Sequence, residues 1–411
     1  VENWQDVIRW AFENKASDVF WKPGSPPCAK IRGVVQRVDE FPVLTQEATS
    51  SIARSLMRDR DWEVFQDVHE KDVGLTVEGV ARLRINIYSE RGNVCLVMRL
   101  IPLDILTIED LDLPPVLSDL SLSPQGLVLV TGPTGCGKST TLAAMIDLIN
   151  RKRHANIVTV EDPIEFVHRD KGCLVSQREV GIDTNSFHNA LKYAMRQAPD
   201  VILIGEMRDT ETMSVAMQAA ETGHLVFSTV HTTSAAETME RIINMFPPHD
   251  KAQICLRMAK SLRGVISQAL VPRKDAPGRI AALEVMVATP TISKLIEEGR
   301  PSEAYQFIEE GAHFGMQTKN QALLKHYQAG KVSGEHALFY AGNYTEMRQM
   351  LRRIDGLAAD QVKAEEEKAK KAAAVSAARQ RMGGQQQGQP PAGQQPPQAP
   401  QPPQAPRPPA N

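Results

Sequence analysis

Five cysteines in 411 residues, at positions 28, 95, 136, 173 and 255, form no CxxC pair. That scatter argues against a tetracysteine zinc site and a disulfide framework, and it suits a reducing compartment. Also missing is any apolar run of the roughly 18 to 20 residues that span a bilayer. The first residues hold no secretory apolar core. We therefore expect a cytoplasmic protein with no membrane insertion of its own, peripheral to a membrane only through partners. Neither sign of charge dominates: 47 basic residues face 49 acidic ones, a formal net charge of -2. No global basic field draws in nucleic acid, and none is expected as a partner. No internal repeat is visible. What remains is 42% hydrophobic and 23% charged, the composition of a soluble globular protein. Its length exceeds one usual core, which predicts two domains.

The first segment, 1–101, reads as a small α/β domain. WQDVIRWAFENKA has helical spacing, with Trp4, Ile8 and Phe12 on one face. AKIRGVVQRV and ARLRINIYSERGNVCLVMRLI alternate as strands joined by polar turns such as SERGN. Residues 102–126, rich in Pro, Asp and Leu, read as a linker with a short helix. From 127 to 354, the runs LVLVT, NIVTVED, VILIGE and HLVFSTVH are short buried strands between amphipathic helices. That alternation predicts a mostly parallel sheet covered by helices, with helices from 290 onward. Residues 355–411 pass from a charged, Ala-rich helix into a Gln/Pro-rich stretch with almost nothing to bury, read as a disordered tail.

GPTGCGKST, from Gly132 to Thr140, satisfies G-x-x-x-x-G-K-[ST] between a strand and a helix. Its residues Gly132, Pro133, Thr134, Gly135, Cys136, Gly137, Lys138, Ser139 and Thr140 form the expected ATP-binding loop. Glycines let backbone N–H groups curl around a polyphosphate, Lys138 brings charge to the β and γ phosphates, and the Ser139 hydroxyl can ligate Mg2+. Cys136, near a helix N-terminus, is either a tolerated small residue or a thiol of lowered pKa.

Hydrolysis needs a carboxylate to act on water and another group to hold the metal shell. Acids stand at two predicted strand ends: Glu161, Asp162 and Glu165 in TVEDPIEF, and Glu206 in DVILIGEMRD. Ligands bind outside the carboxyl ends of parallel strands, which favours a functional reading of both clusters. His224 and His231 stand seven apart across a strand, without the i, i+4 spacing of a helical zinc site. For His231, in a Thr/Ser-rich loop, a place near the γ-phosphate fits better, against a plain structural role. Arg82, Arg84, Arg91 and Arg99 occupy the last hairpin of the first domain, with Arg82 and Arg84 on one face. They are either arginine fingers or a solvated sheet face.

Together, ASDVFWKPGSPP, GPTGCGKSTTLAAMID, TVEDPIEFVH, CLVSQREVGIDT, GEMRDTETM, AAETGHLVFSTVHTTSAA and FGMQT resemble the secretion and type IV pilus ATPase superfamily, in particular its PilT and PilU retraction branch. The resemblance covers about residues 1–350. It implies a smaller PAS-like α/β domain before a RecA-like P-loop ATPase domain, in a homohexamer with nucleotide between the two domains. Glu165 matches the position that activates water, and Glu206 the atypical Walker B glutamate that holds Mg2+ through water. His231 matches the γ-phosphate sensor, His224 its upstream histidine, and Arg84 and Arg99 the arginines that approach the phosphates. The implied cofactors are ATP and Mg2+. The implied partners are the inner-membrane pilus platform protein and a paralogous retraction ATPase. The implied outcome is pilin depolymerisation and twitching motility. Two positions depart from the family pattern. Phe20 stands where a histidine is common, and TISKLI places Ser293 where arginine is usual. An accessory, PilU-like ATPase is the nearest alternative. A non-hydrolysing ATP-binding module and a DNA-translocating ring are readings of other classes. The joint presence of Lys138, Ser139, Glu165 and Glu206 opposes the former, and the near-neutral charge the latter.

Overall fold

The computed structural model describes residues 3–31 and 33–355; of the expected tail, residues 356–411 lie outside them. Period-2 alternation sorts the first hundred residues into one sheet. Its strands are β1 (Ala16–Trp21), β2 (Cys28–Ile31), β3 (Val34–Arg37), β4 (Glu70–Val77), β5 (Ala81–Glu90) and β6 (Asn93–Pro102). They pair antiparallel in the order β3-β2-β1-β6-β5-β4. Along β5, Ala81, Leu83, Ile85 and Ile87 are fully buried, so Arg82, Arg84 and Asn86 face outward together, as the alternation predicts. The hairpin between β5 and β6 turns on Arg91 and Gly92, with φ of 52° and 78°. Positive φ at both central residues is what a tight two-residue hairpin turn demands.

Helices α1 (Trp4–Glu13), α2 (Gln46–Leu56) and α3 (Asp59–Val68) cover the inner face of this sheet. Asn3 caps α1 by accepting the Gln5 N–H, and Thr45 caps α2 by accepting the Ala48 N–H. The buried stripe of α1 is Val7, Ile8 and Ala11. Phe12, expected on that stripe, is 41% exposed. The stripe is centred between Ile8 and Ala11, and at 100° per residue Phe12 falls on its margin.

The second sheet comprises β7 (Gly126–Thr131), β8 (Asn156–Glu161), β9 (Leu174–Glu179), β10 (Val201–Ile204), β11 (Leu225–Val230), β12 (Leu262–Pro272) and β13 (Arg279–Val287). Its order is β13-β12-β7-β11-β10-β8-β9, with every pair parallel except β12 with β13. The four apolar runs singled out in the sequence are β7, β8, β10 and β11, the adjoining inner strands. Continuous apolar runs form here because helices bury both faces. Leu127 and Leu129 join Ile202, Met213, Met217 and Met239 on one face. Val128 and Val130 join Leu142, Met145, Ile149 and Phe227 on the other. Each such side chain contributes on the order of 2 kcal/mol when buried.

The connector holds α4 (Val116–Ser121), and α5 (Lys138–Lys152) follows β7 directly. Helices α6 (Phe187–Ala194), α7 (Thr210–Glu221), α8 (Ala235–Met245) and α9 (Lys251–Ser261) connect the later strands. After β13 come α10 (Pro290–Glu297), α11 (Ala304–Glu310), α12 (Lys319–Gln328), α13 (Gly334–Phe339) and α14 (Tyr344–Asp355). The TISKLI segment lies in α10, burying Ile292, Leu295 and Ile296. Among the described residues, no helix is long and apolar enough to cross a membrane. This arrangement brings the carboxyl ends of β7, β8, β10 and β11 side by side.

Candidate nucleotide site

Beyond those strand ends lies a cavity of about 530 Å3. The loop after β7 forms one wall. Gly137 takes φ 90° immediately before α5 begins, so the first backbone N–H groups of that helix point into the loop without intrahelical partners. Gly132 has φ 141°, and a Cβ there would lie 2.4 Å from the Gln268 carbonyl oxygen. Only glycine fits. Lys138 Nζ donates to the carbonyls of Gly132 and Pro133 at 2.9 and 3.1 Å. Thr134, Gly135, Gly137, Lys138, Ser139 and Thr140 line the cavity. Cys136 faces away, and burial pushes its thiol pKa up. A protonated, buried thiol fits the tolerated small residue, not the reactive one.

A residue overlooked in the sequence braces this loop. Gln268 on β12 donates from Nε2 to the Cys136 carbonyl and accepts at Oε1 from the Thr141 hydroxyl, both at 2.7 Å. It is 3% exposed, so its amide has exchanged water for these two partners. Next to it, the hydroxyls of Thr131 and Ser267 share a hydrogen bond of 2.8 Å between β7 and β12.

The opposite wall carries the acids. β8 ends at Glu161, whose carboxylate accepts from Thr159 Oγ1 at 2.6 Å and Gln177 Nε2 at 3.0 Å. Burial raises its pKa against those bonds. Four residues on, past the cis Asp162–Pro163 bond, Glu165 is exposed and lines the cavity. β10 ends at Ile204, and Gly205 then passes so close to β8 that its Cβ would lie 3.3 Å from the Glu161 Cα. Glu206 follows, its side chain 14% exposed, ion-paired with Arg208 and 3.4 Å from His231 Nε2. His231 follows β11, and the Thr229 hydroxyl ties that strand to the Gly205 carbonyl at 2.6 Å. Glu165, Glu206 and His231 thus share one cavity with the loop.

Other predicted residues lie elsewhere. His224 is at the far end of β11, where Nδ1 lies 2.9 Å from the Ala219 carbonyl oxygen. It does not meet His231. Arg84 and Arg99 are cross-strand neighbours on the first sheet and line no part of the cavity. Arg99 Nε donates to Asp18 at 3.0 Å while remaining 62% exposed. Three cavity residues carried no sequence signal of their own: Arg208, Arg279 and His168. His168 closed the quoted TVEDPIEFVH segment, yet nothing in that string showed it to be 8% exposed with Nδ1 unpartnered. Burial lowers its pKa to about 4, so the imidazole is neutral at pH 7.

Taken together, a parallel sheet, a glycine loop opening into α5 and acids at neighbouring strand ends define a P-loop nucleoside-triphosphate-binding protein. Residues 3–339 match the family described as Type II/IV secretion system protein. The chain is 44% identical over 332 residues to the type IV pilus retraction ATPase PilT of Pseudomonas aeruginosa, covering 81% of this chain and 96% of that one. It is 40% identical over 348 residues to the type IV pilus ATPase PilU of the same organism, covering 85% and 91%. A crystal structure of the pilus retraction motor PilT with bound ADP superposes with a TM-score of 0.79 at 40% identity, covering 84% of this chain and 99% of that one. The chain belongs to the Type II/IV secretion system protein family, in its PilT and PilU branch of pilus ATPases.

Proposed function

We propose that this chain is an ATP-hydrolysing motor that drives retraction of a type IV pilus. The observation that carries the reading is the convergence of the phosphate loop with Glu165, Glu206 and His231 on one cavity. ATP phosphates sit over the N-terminus of α5, where unpaired N–H groups and Lys138 meet their charge. Glu165, open to the cavity just beyond β8, orients and deprotonates the attacking water. Glu206, 3.4 Å from His231 Nε2, steadies the imidazole, and His231 is the group that senses the γ-phosphate. Arg208 and Arg279 add positive charge at the rim.

The donors fit Mg2+, a hard cation that takes oxygen ligands and keeps several waters. The Ser139 hydroxyl and, through water, the Glu206 carboxylate face the same cavity and would hold it. When bound, the ion neutralises charge on the β and γ oxygens. Arg84 and Arg99 stand on an open sheet face and reach the phosphates when the first sheet closes toward a nucleotide.

Force comes from differential affinity, since a ligand shifts a conformational equilibrium only by binding one state better. ATP bridging the two sheets favours the closed state, and hydrolysis removes that preference. In a homohexamer, successive closure and opening would move a central partner, the inner-membrane platform protein at the pilus base. The working location is the cytoplasmic side of that machine. The likeness to the retraction ATPase PilT and to the retraction motor structure supports this. The likeness to PilU supports a second reading, an accessory ATPase that works beside a paralogous motor.

The test is ATP turnover by the purified chain and its Glu165→Gln variant, with mass measured in each nucleotide state. Magnesium-dependent turnover by a six-subunit species, lost in the variant, is the expected outcome. Tight binding without turnover would favour the accessory role or a regulatory module.

A further inference from the structure

One ion pair joins the first sheet to the wall that carries the acids. From the outward face of β5, Arg82 Nη2 donates to Glu179 Oε2 at 2.7 Å. The two side chains are only 15% and 9% exposed. The same Oε2 accepts the backbone N–H of Ile164 at 3.3 Å. Ile164 is buried and immediately precedes Glu165. Glu179 ends β9 in register with Glu161 at the end of β8, and its own N–H donates to Asp183 at 2.9 Å. A second observation marks the contact as built. Gly74 stands mid-strand in β4, where a Cβ would lie 2.8 Å from Arg82 Nη2 and 3.4 Å from Glu179 Oε1. Glycine weakens a strand interior and often marks a place where another group approaches closely. Here the guanidinium passes over it to reach the carboxylate.

We propose that Arg82 and Glu179 are positioning residues for ATP hydrolysis: the pair fixes the loop that carries Glu165, and parting the first sheet from β9 releases it. This rests on the reading of Glu165 given above. Neither residue lines the nucleotide cavity, so neither touches the reacting atoms. The physical cause is the cost of a buried, unpaired charge. While Arg82 is present, Glu179 stays desolvated and its Oε2 also accepts the Ile164 N–H. Without it, the carboxylate turns to water, and the loop loses its anchor one residue from Glu165. The state of the first sheet is thereby transmitted to the water-activating group through two hydrogen bonds.

The experiment uses the full chain and reads amide hydrogen exchange over residues 162–168 beside steady-state ATP kinetics. Arg82→Gln and Glu179→Gln should each speed exchange in that segment, with α5 unchanged as the control for an intact fold. Each should lower kcat by about tenfold or more, with KM for ATP within about twofold, because loop placement and not phosphate binding is altered. Arg82→Lys, the milder change, should recover part of kcat. The double variant should be no slower than Glu179→Gln alone, since both act through one contact. Unchanged exchange over 162–168 in both single variants would overturn the proposal, as would additive losses or a raised KM at constant kcat. If Glu165→Gln hydrolyses ATP normally, the reading of Glu165 falls instead, and the exchange result alone decides whether the pair holds the loop.

Discussion

In the seven-stranded sheet the candidate groups stand at strand ends, and several are already held in place. Lys138 is gripped by the carbonyls of Gly132 and Pro133, and Glu206 by Arg208 and His231. In the six-stranded sheet the candidates Arg84 and Arg99 stand mid-strand on an outward face, where Arg84 is exposed and Arg99 is 62% exposed despite its bond to Asp18. The first arrangement is preorganised: on the proposed reading, dipoles and charges already stand where phosphate charge would lie, so the reaction itself needs little reorganisation of them. The second keeps its charge hydrated until something approaches. On the proposed reading, binding and chemistry belong to the larger sheet, and the smaller one reports closure.

The sharpest way to break that division is at the larger sheet. Lys138→Ala should remove ATP binding at micromolar concentration and cut turnover by about a hundredfold or more, because its ammonium is the charge the loop itself brings to the phosphates. Equilibrium binding of a fluorescent ATP analogue checks it, and normal turnover would refute the site. Glu165→Gln should keep that binding while lowering kcat by about a hundredfold, the usual worth of a general base. If Glu206→Gln does so instead, with Glu165→Gln unaffected, their roles must be exchanged. At the smaller sheet, Arg84→Ala should leave binding to the isolated loop intact and lower kcat by about tenfold. An equal loss of binding would erase the distinction between the two sheets.

Much of the placement of the loop, the inner strands and the acids was legible in the residues themselves. The loop from Gly132 to Thr140 announces itself by spacing, and β7, β8, β10 and β11 by apolar runs that only a doubly covered sheet can use. Strand-end position then placed Glu165 and Glu206 without any contact being known. What stayed hidden depends on pairings distant in sequence. Gln268 lies 132 residues from the Cys136 carbonyl it braces, and Arg82 lies 97 from Glu179. No local period marks either. β9 was missed because LVSQRE sits at the sheet edge with exposed Leu174, lacking the buried run of its neighbours. Phe12 was misplaced because a hydrophobic residue at the margin of a helical stripe satisfies the period without being covered.

Gln268 offers a subtler test, since it braces the loop from behind and does not itself line the cavity. Gln268→Leu keeps the volume but strands the Cys136 carbonyl and the Thr141 hydroxyl, each costing about 1 to 2 kcal/mol when buried without a partner. Thermal unfolding should shift down, and ATP should restore part of the loss by binding the folded state. An unshifted midpoint would mean that water replaces the amide and that the loop holds its own shape.

The smallest effect concerns His168, which contributes at pH 7 by being neutral. Its folded pKa of about 4 lies below the ordinary value of 6.5 because burial opposes the charge, outweighing the pull of Asp147, while Lys171 reinforces the shift. Between those two values the unfolded chain binds a proton that the folded chain refuses, so stability is complete above pH 6.5 and is lost as pH falls toward 4. By pH 5.5 the loss should be on the order of 1 kcal/mol. His168→Gln removes the titration while keeping a polar side chain of similar size. Denaturant midpoints at pH 7.5 and 5.5 should therefore converge in the variant relative to the parent. An identical pH slope in both proteins would show that the imidazole reaches water and carries its proton in the folded state.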